Sequence, residues 1–576
     1  MDVISKGRFN RFIEDFGLEN IPEKESDNFE KYCFYAIIGI EYPSINEDDL
    51  DNINTDKNKG IDGIAVLLDG RLITNTNELK GFVKSNKKIT EANIVFIQSK
   101  RSSTFEDSEI GNFCDTVKDF LQESPQHSMT SKVKEYHRIL LQLYATPSII
   151  KYFKCKLFYC STGTWNKNTT CSTTLAIKRE EITNLNIFEE VDIKPIDSVA
   201  LRKLYDKVTN PLKAEFSFDS RTELKNILNV QEAYIGNLPF TEFKKIIIDE
   251  ETHKIKNLFY DNVRDDLGDT EDVNEKINKT LKDKEFSIFP LLNNGVTVIA
   301  EKNEGRGSRF VLDNYQIVNG CQTSNVLFRN KELLGIDSLI VPIKLIITDN
   351  ENLRDKIIIS TNSQTKIKEE QLLALTAFQK GLEEFYEYSK DGIYYERRTS
   401  QYSANQSIKK KCIVNIREQI KSYVAMFLEE PDVVSGYFGK VYKDRKDDIF
   451  IKEHKYEPYY VSGFTQYKFK QFINSKKIDR RYNKARYHIL LLFRKIVKPE
   501  NLIDFKSRKI PQYCRIYLTI LRNENKCLSF FNKAIDIIKK AAIDIDNQKE
   551  IYKKSTTLKL MGVYNSIYKK KIDVNF

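Results

Sequence analysis

Two short stretches decide the fold of the N-terminal part of this chain: Gly60-Ile61-Asp62-Gly63-Ile64-Ala65-Val66 and Ile94-Val95-Phe96-Ile97-Gln98-Ser99-Lys100. Each contains an apolar run of the length of one strand, with polar residues gathered at one end. We expect strands at residues 64–68, 94–100 and 156–160. Helical patterns begin near Ser26 and at Asp107 or Ser108, which we take as the cap of that second helix. Alternating helices and strands are typical of an α/β domain.

The polar ends of these two strands predict a metal site. Side chains alternate between the faces of a strand, so Gln98 and Lys100 should point the same way and Ser99 into the core. Asp62, at the start of the neighbouring strand, can meet them. A carboxylate and an amide oxygen suit Mg²⁺ or Mn²⁺, which would lower the pKa of a bound water and hold a phosphate. Lys100 would then orient the attacking water or neutralise charge that develops on phosphorus.

This layout resembles that of the PD-(D/E)xK nucleases in its D…QxK form. Three such residues also occur together by chance, but the glycines around Asp62 and the polar end of an otherwise apolar strand favour a function. Asp62 and Gln98 are 36 residues apart, which is long for a hairpin, and we assign the excess to an inserted helix at residues 77–85. Glu30, on the preceding helix, is a candidate third metal ligand. Glu109 could also approach the metal, but a surface or capping role is the simpler interpretation of both Glu30 and Glu109.

The charge is unevenly distributed. The whole chain has a net charge of +10, whereas residues 381–576 hold 41 Lys and Arg against 23 Asp and Glu, a net charge of +18. Residues 461–530 alone hold 17 basic and 4 acidic residues, a net charge of +13. Positive charge concentrated in this way is typical of a protein that binds a polyanion. The alternative is a solvated, lysine-rich surface.

Aromatic residues lie among these charges, which suits phosphate neutralisation combined with base stacking. The aromatic residues are Tyr467, Phe469, Phe472, Tyr482 and Tyr487. The basic residues that we assign to nucleic-acid contact are Lys476, Lys477, Arg480, Arg481, Arg397 and Arg398.

We divide the chain into three parts. Residues 1–185 form the restriction-endonuclease-like α/β domain, residues 186–380 a second α/β domain, and residues 381–576 a mostly helical, basic region. In the second domain we expect strands at 295–300, 309–311 and 339–348, with a hairpin turn at 305–307.

The second domain contains the segment Asn319-Gly320-Cys321-Gln322-Thr323-Ser324, which follows a short strand at 316–318 and precedes a predicted helix at 325–334. Small and amide residues at such a turn expose backbone N–H groups, which bind anions. The alternative is a network of amides that only locks the turn. The candidate ligand or sensor cleft consists of Asn294, Asn319, Gln322 and Thr323, with Asn362 and Gln364 as further lining residues.

Several segments together resemble the abortive-infection phage-resistance family, the AIPR proteins. In the N-terminal part these are residues 96–100, 102–103, 109–111 and 117–120. In the rest of the chain they are residues 262–264, 267–268, 293–300, 316–324, 360–365 and 394–398. The resemblance extends from about residue 30 to 420. It implies a role in bacterial defence against phage, with the second domain as the AIPR domain and a restriction-endonuclease-like domain before it.

We therefore interpret the chain as a cytoplasmic, metal-dependent nuclease that acts on nucleic acid, with DNA favoured over RNA. Two other classes stay open: a binding module with a degenerate nuclease domain, since Gln98 offers no charge to a metal, and a nucleotide-sensing switch in the second domain. A homo-oligomer and a phage-derived trigger are left open as partners.

The composition argues against several other classes. The first residues show no apolar segment of the secretory type, and no apolar stretch approaches the ~20 residues that span a bilayer. The nine cysteines include no C-x-x-C pair and the five histidines are scattered, which disfavours zinc knuckles and disulfide scaffolds.

Overall fold

A computed structural model gives the architecture of the chain. It describes all residues except 57, 59, 87, 103, 147–148, 166–168, 211, 250–252, 254, 257, 259–271, 363–375, 399–400, 403–404, 406, 436–437, 499–501, 546 and 569–576. The described residues form three units, each with its own hydrophobic core.

The N-terminal unit is a mixed five-stranded sheet with the order β2-β1-β3-β4-β5. Strand β1 is antiparallel to β2 and β3, whereas β3, β4 and β5 are parallel to one another. The strands are β1 (Gly63–Leu68), β2 (Arg71–Ile73), β3 (Ile89–Lys100), β4 (Ile150–Ser161) and β5 (Glu190–Ile196).

Helices cover both faces of this sheet, which explains why β1 is apolar and buried along its whole length. Residues Ile64 and Phe96 belong to the core beneath α4–α7, while Ala65 and Val95 belong to the core beneath α1–α3 and α8. The helices are α1 (Val3–Phe16), α2 (Glu25–Ile38), α3 (Glu47–Ile53), α4 (Thr76–Ser85), α5 (Asp107–Phe120), α6 (Ser131–Tyr144), α7 (Thr169–Thr183) and α8 (Ser198–Thr209).

The N-terminal unit extends past the boundary predicted at residue 185. Strand β5 pairs with β4, and Leu201 and Tyr205 of α8 are buried in the same core as α2. The unit therefore ends near residue 209.

The second unit is a six-stranded sheet with the order β6-β10-β9-β11-β8-β7, in which only the described pair β9 and β11 is parallel. The strands are β6 (Lys213–Ser217), β7 (Arg221–Glu223), β8 (Glu232–Pro239), β9 (Val296–Asn303), β10 (Arg309–Asn319) and β11 (Ile340–Ile347). The helices are α9 (Phe240–Ile247), α10 (Asp272–Lys282), α11 (Phe289–Leu292), α12 (Cys321–Arg329) and α13 (Glu351–Asn362).

The third unit is mainly helical, with one short parallel strand pair, β12 (Tyr394–Glu396) and β13 (Ile413–Asn415). Its helices are α14 (Ala377–Ser389), α15 (Ile416–Phe427), α16 (Phe438–Arg445), α17 (Glu457–Asn474), α18 (Arg486–Val497), α19 (Ile510–Leu521), α20 (Glu524–Lys540), α21 (Gln548–Ile551) and α22 (Lys554–Tyr568). Among the described helices of the whole chain, none has the length and apolar character needed to cross a bilayer.

Local details differ from the sequence-based expectations in two places. Helix α5 begins at Asp107 after Glu106, so neither Asp107 nor Ser108 is its cap. Helix α12 begins at Cys321, so Gln322 and Thr323 form its first turn and do not belong to a preceding loop.

Candidate active site

The end of the N-terminal sheet brings together the residues of the predicted metal site. The backbone N–H of Asp62 donates to the carbonyl oxygen of Ile97 at 3.0 Å, which sets its carboxylate beside the end of β3. Asp62 Oδ2 accepts hydrogen bonds from Gln98 Nε2 at 2.8 Å, from the Ser99 N–H at 2.7 Å and from the Ser99 hydroxyl at 3.0 Å. The expectation that Ser99 points into the core was wrong, because Asp62 holds its hydroxyl.

The glycines around Asp62 are required by packing. Gly60 has a φ of +82°, and a Cβ atom there would lie 2.6 Å from Thr116 Oγ1 of α5. A Cβ atom on Gly63 would lie 2.5 Å from the ring of Phe34 on α2. The chain thus enters β1 through a narrow gap between the helices on the two faces, and Asp62 lies at that entrance.

The electrostatics of the Asp62 carboxylate favour a nearby cation. Burial raises its pKa above the ordinary value, and the hydrogen bonds from Ser99, the charge of Lys100 and the bond from Gln98 only partly oppose this. A buried carboxylate in this state gains stability from a further positive charge.

Lys100 is held near Asp62 by a second network. Its Nζ atom lies 3.4 Å from Glu109 Oε1, and the Tyr159 hydroxyl donates to Glu109 Oε2 at 2.7 Å. Burial, and then the bond to Glu109, raise the pKa of Tyr159 well above its usual range, so its hydroxyl stays a donor. Lys100 is about 40% exposed and is therefore open to a substrate.

The oxygens of this site fit a hard divalent cation. Gln98 is buried, and its Oε1 atom has no hydrogen-bond partner. Because the three hydrogen bonds to the Asp62 carboxylate all fall on Oδ2, its Oδ1 atom and Gln98 Oε1 are the oxygens left to bind a cation. Mg²⁺ keeps several waters and accepts such a small protein ligand set. Within the described residues, no group of three or more His, Cys, Asp or Glu side chains is arranged to hold a metal.

Glu30, the candidate third ligand, lies on α2 close to this end of the sheet. Its Oε2 atom accepts a hydrogen bond from Asn54 at 2.9 Å. Glu30 and Asp62 both act on the buried thiol of Cys33, whose pKa is raised first by burial, then by Cys160 and then by these two carboxylates. Both carboxylates therefore lie near this thiol, and the role of Glu30 as a third metal ligand stays a prediction.

The two arginines assigned to nucleic acid on the third unit are buried. Arg397 pairs with Glu383 at 2.6 Å and with Asp355 at 3.6 Å, and Arg398 lies 3.7 Å from Asp355. Lys380 pairs with Asp355 at 2.8 Å. These pairs tie α13 to α14 and β12, so the burial of Arg397 and Arg398 argues against direct contact with nucleic acid.

The aromatic residues of the basic window do not form a stacking surface. Phe469, Phe472 and Tyr482 are buried in the core of the third unit, and Tyr467 and Tyr487 pack against that core. The interpretation that these rings stack on bases was wrong for the three buried residues, because their spacing reflects helix packing.

The four basic residues predicted in this window are each paired with a carboxylate. Lys476 lies 2.8 Å from Glu19, Arg481 lies 3.3 Å from Asp479, and Lys477 pairs with Glu524. Arg480 pairs with Asp51 of α3, on the N-terminal unit.

The pairing between the N-terminal and third units is centred on Asp48 of α3. Asp48 lies 2.5 Å from Arg486 and 2.9 Å from Lys470, and Lys470 also pairs with Glu418 at 2.6 Å. Burial raises the pKa of Asp48, but Arg486 and Lys470 outweigh burial and hold it well below the usual range. The acidic helix α3 thus neutralises part of the positive charge of the basic window.

A different basic segment in the same window keeps its charge exposed. Lys506, Arg508 and Lys509 form the turn before α19, and all three are exposed. In the part of the chain that the structure describes, none of the three has a carboxylate at ion-pair distance.

The predicted ligand cleft of the second unit is largely closed. Gly320, with a φ of +98°, approaches Val296 so closely that a Cβ atom would lie 2.7 Å from its side chain, and this contact joins the turns before β9 and α12. Asn294 is exposed, and Asn319 Nδ2 donates to the Thr361 carbonyl oxygen at 3.3 Å. Gln322 and Thr323 are buried. This burial favours the alternative in which these side chains lock the turn.

Comparison with known proteins gives one family. The profile of the AIPR proteins matches residues 259–575, just over half of the chain. The chain belongs to the AIPR family. No curated protein and no solved structure was found to match it.

The AIPR match covers most of the second unit and the third unit together. It includes the Asn319 turn and the basic window, whereas the Asp62 site lies before residue 259. Family membership therefore says nothing of the N-terminal unit. The resembling segments at 262–264 and 267–268, and residues 363–365 with Gln364, lie outside the described residues, as does the side chain of Asn362.

Some site features were not expected from the sequence. Tyr159 lies in a predicted strand with nothing to mark it as a partner of Glu109, and Ser99 was assigned to the wrong face. The sequence did contain an indication of the exposed turn with Lys506, Arg508 and Lys509, because this turn lies inside the window of highest positive charge.

Proposed function

We propose that this AIPR protein is a metal-dependent nuclease that acts in the cytoplasm against phage, with DNA favoured over RNA. Membership of the family suggests an abortive-infection role, and the N-terminal unit supplies the chemistry. The observation that carries the proposal is the unpartnered, buried Gln98 Oε1 beside a carboxylate whose hydrogen bonds all fall on one oxygen.

Each residue of the site has a separate role in this proposal. Asp62 and Gln98 hold Mg²⁺ or Mn²⁺ through oxygen atoms, and Ser99 fixes the orientation of the Asp62 carboxylate. When bound, the cation lowers the pKa of a coordinated water and offsets charge on the scissile phosphate. Lys100, oriented by Glu109, donates to the phosphate or to the attacking water.

Nucleic acid is held by exposed positive charge in this proposal. The turn with Lys506, Arg508 and Lys509 replaces the four paired residues at 476–481 as the main contact, because unpaired cations release counterions on binding without first breaking an ion pair.

A second candidate is a binding module whose nuclease domain has lost activity. It is favoured by one observation: Asp62 is the single acidic residue in the contact network with Gln98 and Ser99, and no described group of three metal-binding side chains supplements it. In that case the protein binds nucleic acid and cuts none.

A substrate panel separates the two candidates. The purified full-length protein is incubated with single- and double-stranded DNA and RNA, with Mg²⁺, with Mn²⁺ and with excess EDTA. We expect cleavage of DNA that requires the cation and is lost in Lys100→Ala. Lys154→Ala is the matched control, because Lys154 lies near the other end of the same sheet and pairs with Glu91 and Glu190.

The outcomes are distinct. Cleavage that persists in EDTA or in Lys100→Ala contradicts the assignment of the site. Binding of nucleic acid without cleavage of any substrate supports the second candidate.

A further inference from the structure

A cavity lies between the N-terminal unit and the third unit, away from the site described above. Its volume is about 280 Å³. Residues from the end of α1 and the segment before α3 line one side, and residues from β12, β13 and α17 line the other. A ligand in this cavity would touch both units.

Most charged residues around the cavity are already paired. Lys470 pairs with Glu418 and Asp48, and Asn474 donates to Glu47 at 3.0 Å. Because these side chains already bind one another, they offer few groups to a ligand.

Two lysines are different. Lys410 and Lys411 line the cavity, and within the described residues neither has a carboxylate at ion-pair distance. The stem of Lys411 passes over Gly17, where a Cβ atom would lie 2.6 Å from Lys411 Cδ, so the glycine makes room for this lysine. The carboxyls of Glu396 and Asp15 partly offset the charge of Lys410, but two ammonium groups at one wall of the cavity still favour an anionic ligand.

Two buried oxygens in the cavity wall lack a donor. Gln466 is 2% exposed and Glu396 is 8% exposed, and the Oε1 atom of each has no hydrogen-bond partner. A buried acceptor without a donor is unfavourable, so a ligand that supplies N–H groups would stabilise both atoms. Burial raises the pKa of Glu396 to about 7, although the charge of Lys410 and hydrogen bonds from the backbone of Gln401 and Tyr402 act in the opposite direction.

We propose that this cavity binds a nucleoside monophosphate, with the phosphate at Lys410 and Lys411 and the base edge at Gln466 and Glu396. Amide and carboxyl side chains pair with the N–H groups of bases. Ligand pockets range from roughly 300 to 1,000 Å³, so a cavity near the lower limit suits one nucleotide and excludes a longer one.

The test is equilibrium binding to the full-length protein by calorimetry, with AMP, GMP, CMP and UMP as separate probes. We expect at least one nucleotide to bind with a Kd below about 1 mM and to raise the melting temperature. Lys410→Ala with Lys411→Ala should weaken this binding by about tenfold or more. Lys409→Ala, which removes a neighbouring lysine that pairs with Glu14, should leave it unchanged.

Gln466→Leu tests the base contact separately. It removes the unpartnered acceptor without leaving a polar group buried, and we expect the nucleotide to bind several-fold more weakly while the protein without ligand melts at an unchanged or higher temperature. The proposal is overturned if no nucleotide binds at about 5 mM, or if the double lysine variant binds as tightly as the wild type. Inorganic phosphate or glutamate that binds as tightly as the nucleotides also overturns it.

Discussion

The end of β3 and the basic window at 461–530 have the strongest functional patterns in the sequence. The folded chain treats their polar side chains differently: those at the end of β3 form a cluster, whereas those of the basic window are paired with carboxylates. At the end of β3, Asp62, Gln98 and Lys100 converge, and one oxygen is left without a partner. In the basic window, Lys476, Arg480 and their neighbours meet carboxylates of the same chain.

The difference shows what each kind of pattern measures. Two paired strands fix the relative positions of their side chains within a few ångströms, so a motif on them describes a real cluster. A count of charges describes composition alone, and long-range packing decides whether each charge meets solvent or a partner. The acidic helix α3 lies over 400 residues from Arg480 and Arg486 in sequence and neutralises both.

The largest expected effect concerns this pairing. Asp48→Ala leaves Arg486 and Lys470 partly buried with one carboxylate fewer, so we expect the free energy of unfolding to fall by about 3 kcal/mol. Denaturant unfolding of the full chain measures it.

Glu524→Ala is the control for that experiment. It removes the partner of Lys477 at an exposed pair, where water screens the attraction, so we expect a much smaller change in the free energy of unfolding. Equal destabilisation by both variants would show that the charges between the units are no more structural than surface pairs.

A smaller loss of stability is expected at the Asn319 turn, which lies in the second unit. Asn319→Ala with Gln322→Ala removes the bond to Thr361 and the contacts of a buried amide, and should lower the stability by about 2 kcal/mol. An unchanged melting temperature together with lost phage protection would instead support the ligand cleft.

DNA binding should depend more on the unpaired basic residues than on the paired ones. Replacing Lys506, Arg508 and Lys509 with alanine should weaken DNA binding by about tenfold and reduce the dependence of affinity on salt. The matched variant replaces Lys476, Lys477, Arg480 and Arg481, and should have the smaller effect because their charges are already neutralised. A larger loss in the matched variant contradicts this assignment.

The smallest effect is the pH dependence of the third unit. Burial lowers the pKa of His488 from 6.5 to about 4. Because the unfolded chain binds a proton at His488 more readily than the folded chain does, protonation favours unfolding. The stability is therefore complete above the pKa of the unfolded state and falls as the pH drops towards the pKa of the folded state. We expect a loss of roughly 1 kcal/mol between pH 7.5 and pH 6. His488→Gln should remove this part of the pH dependence, and an identical profile would contradict it.

Much of the N-terminal fold follows from local patterns in the sequence. The apolar runs at β1 and β3 and the inserted helix α4 agree with their predicted positions, because strands covered on both faces and capped helices have clear signals. The contact between Asp62 and Gln98 follows from the same register.

Other features depend on contacts that no local pattern contains. Strand β5 lies beyond the boundary predicted at residue 185, and its place in the first sheet depends on its pairing with β4. The burial of Arg397 and Arg398 depends on Asp355 and Glu383, which lie on other elements. Some partners of the basic window, namely Glu19, Asp48 and Asp51, likewise come from the N-terminal unit.

If Asp62 belongs to a nucleolytic metal site, as we claim, Asp62→Asn should cut nucleic acid poorly. The variant keeps the size of the side chain and removes its charge, and is compared with wild type across a titration of Mg²⁺ under single-turnover conditions. We expect a cleavage rate lower by about a hundredfold or more at every concentration, with unchanged affinity for DNA. Cleavage by Asp62→Asn at the wild-type rate would contradict the claim.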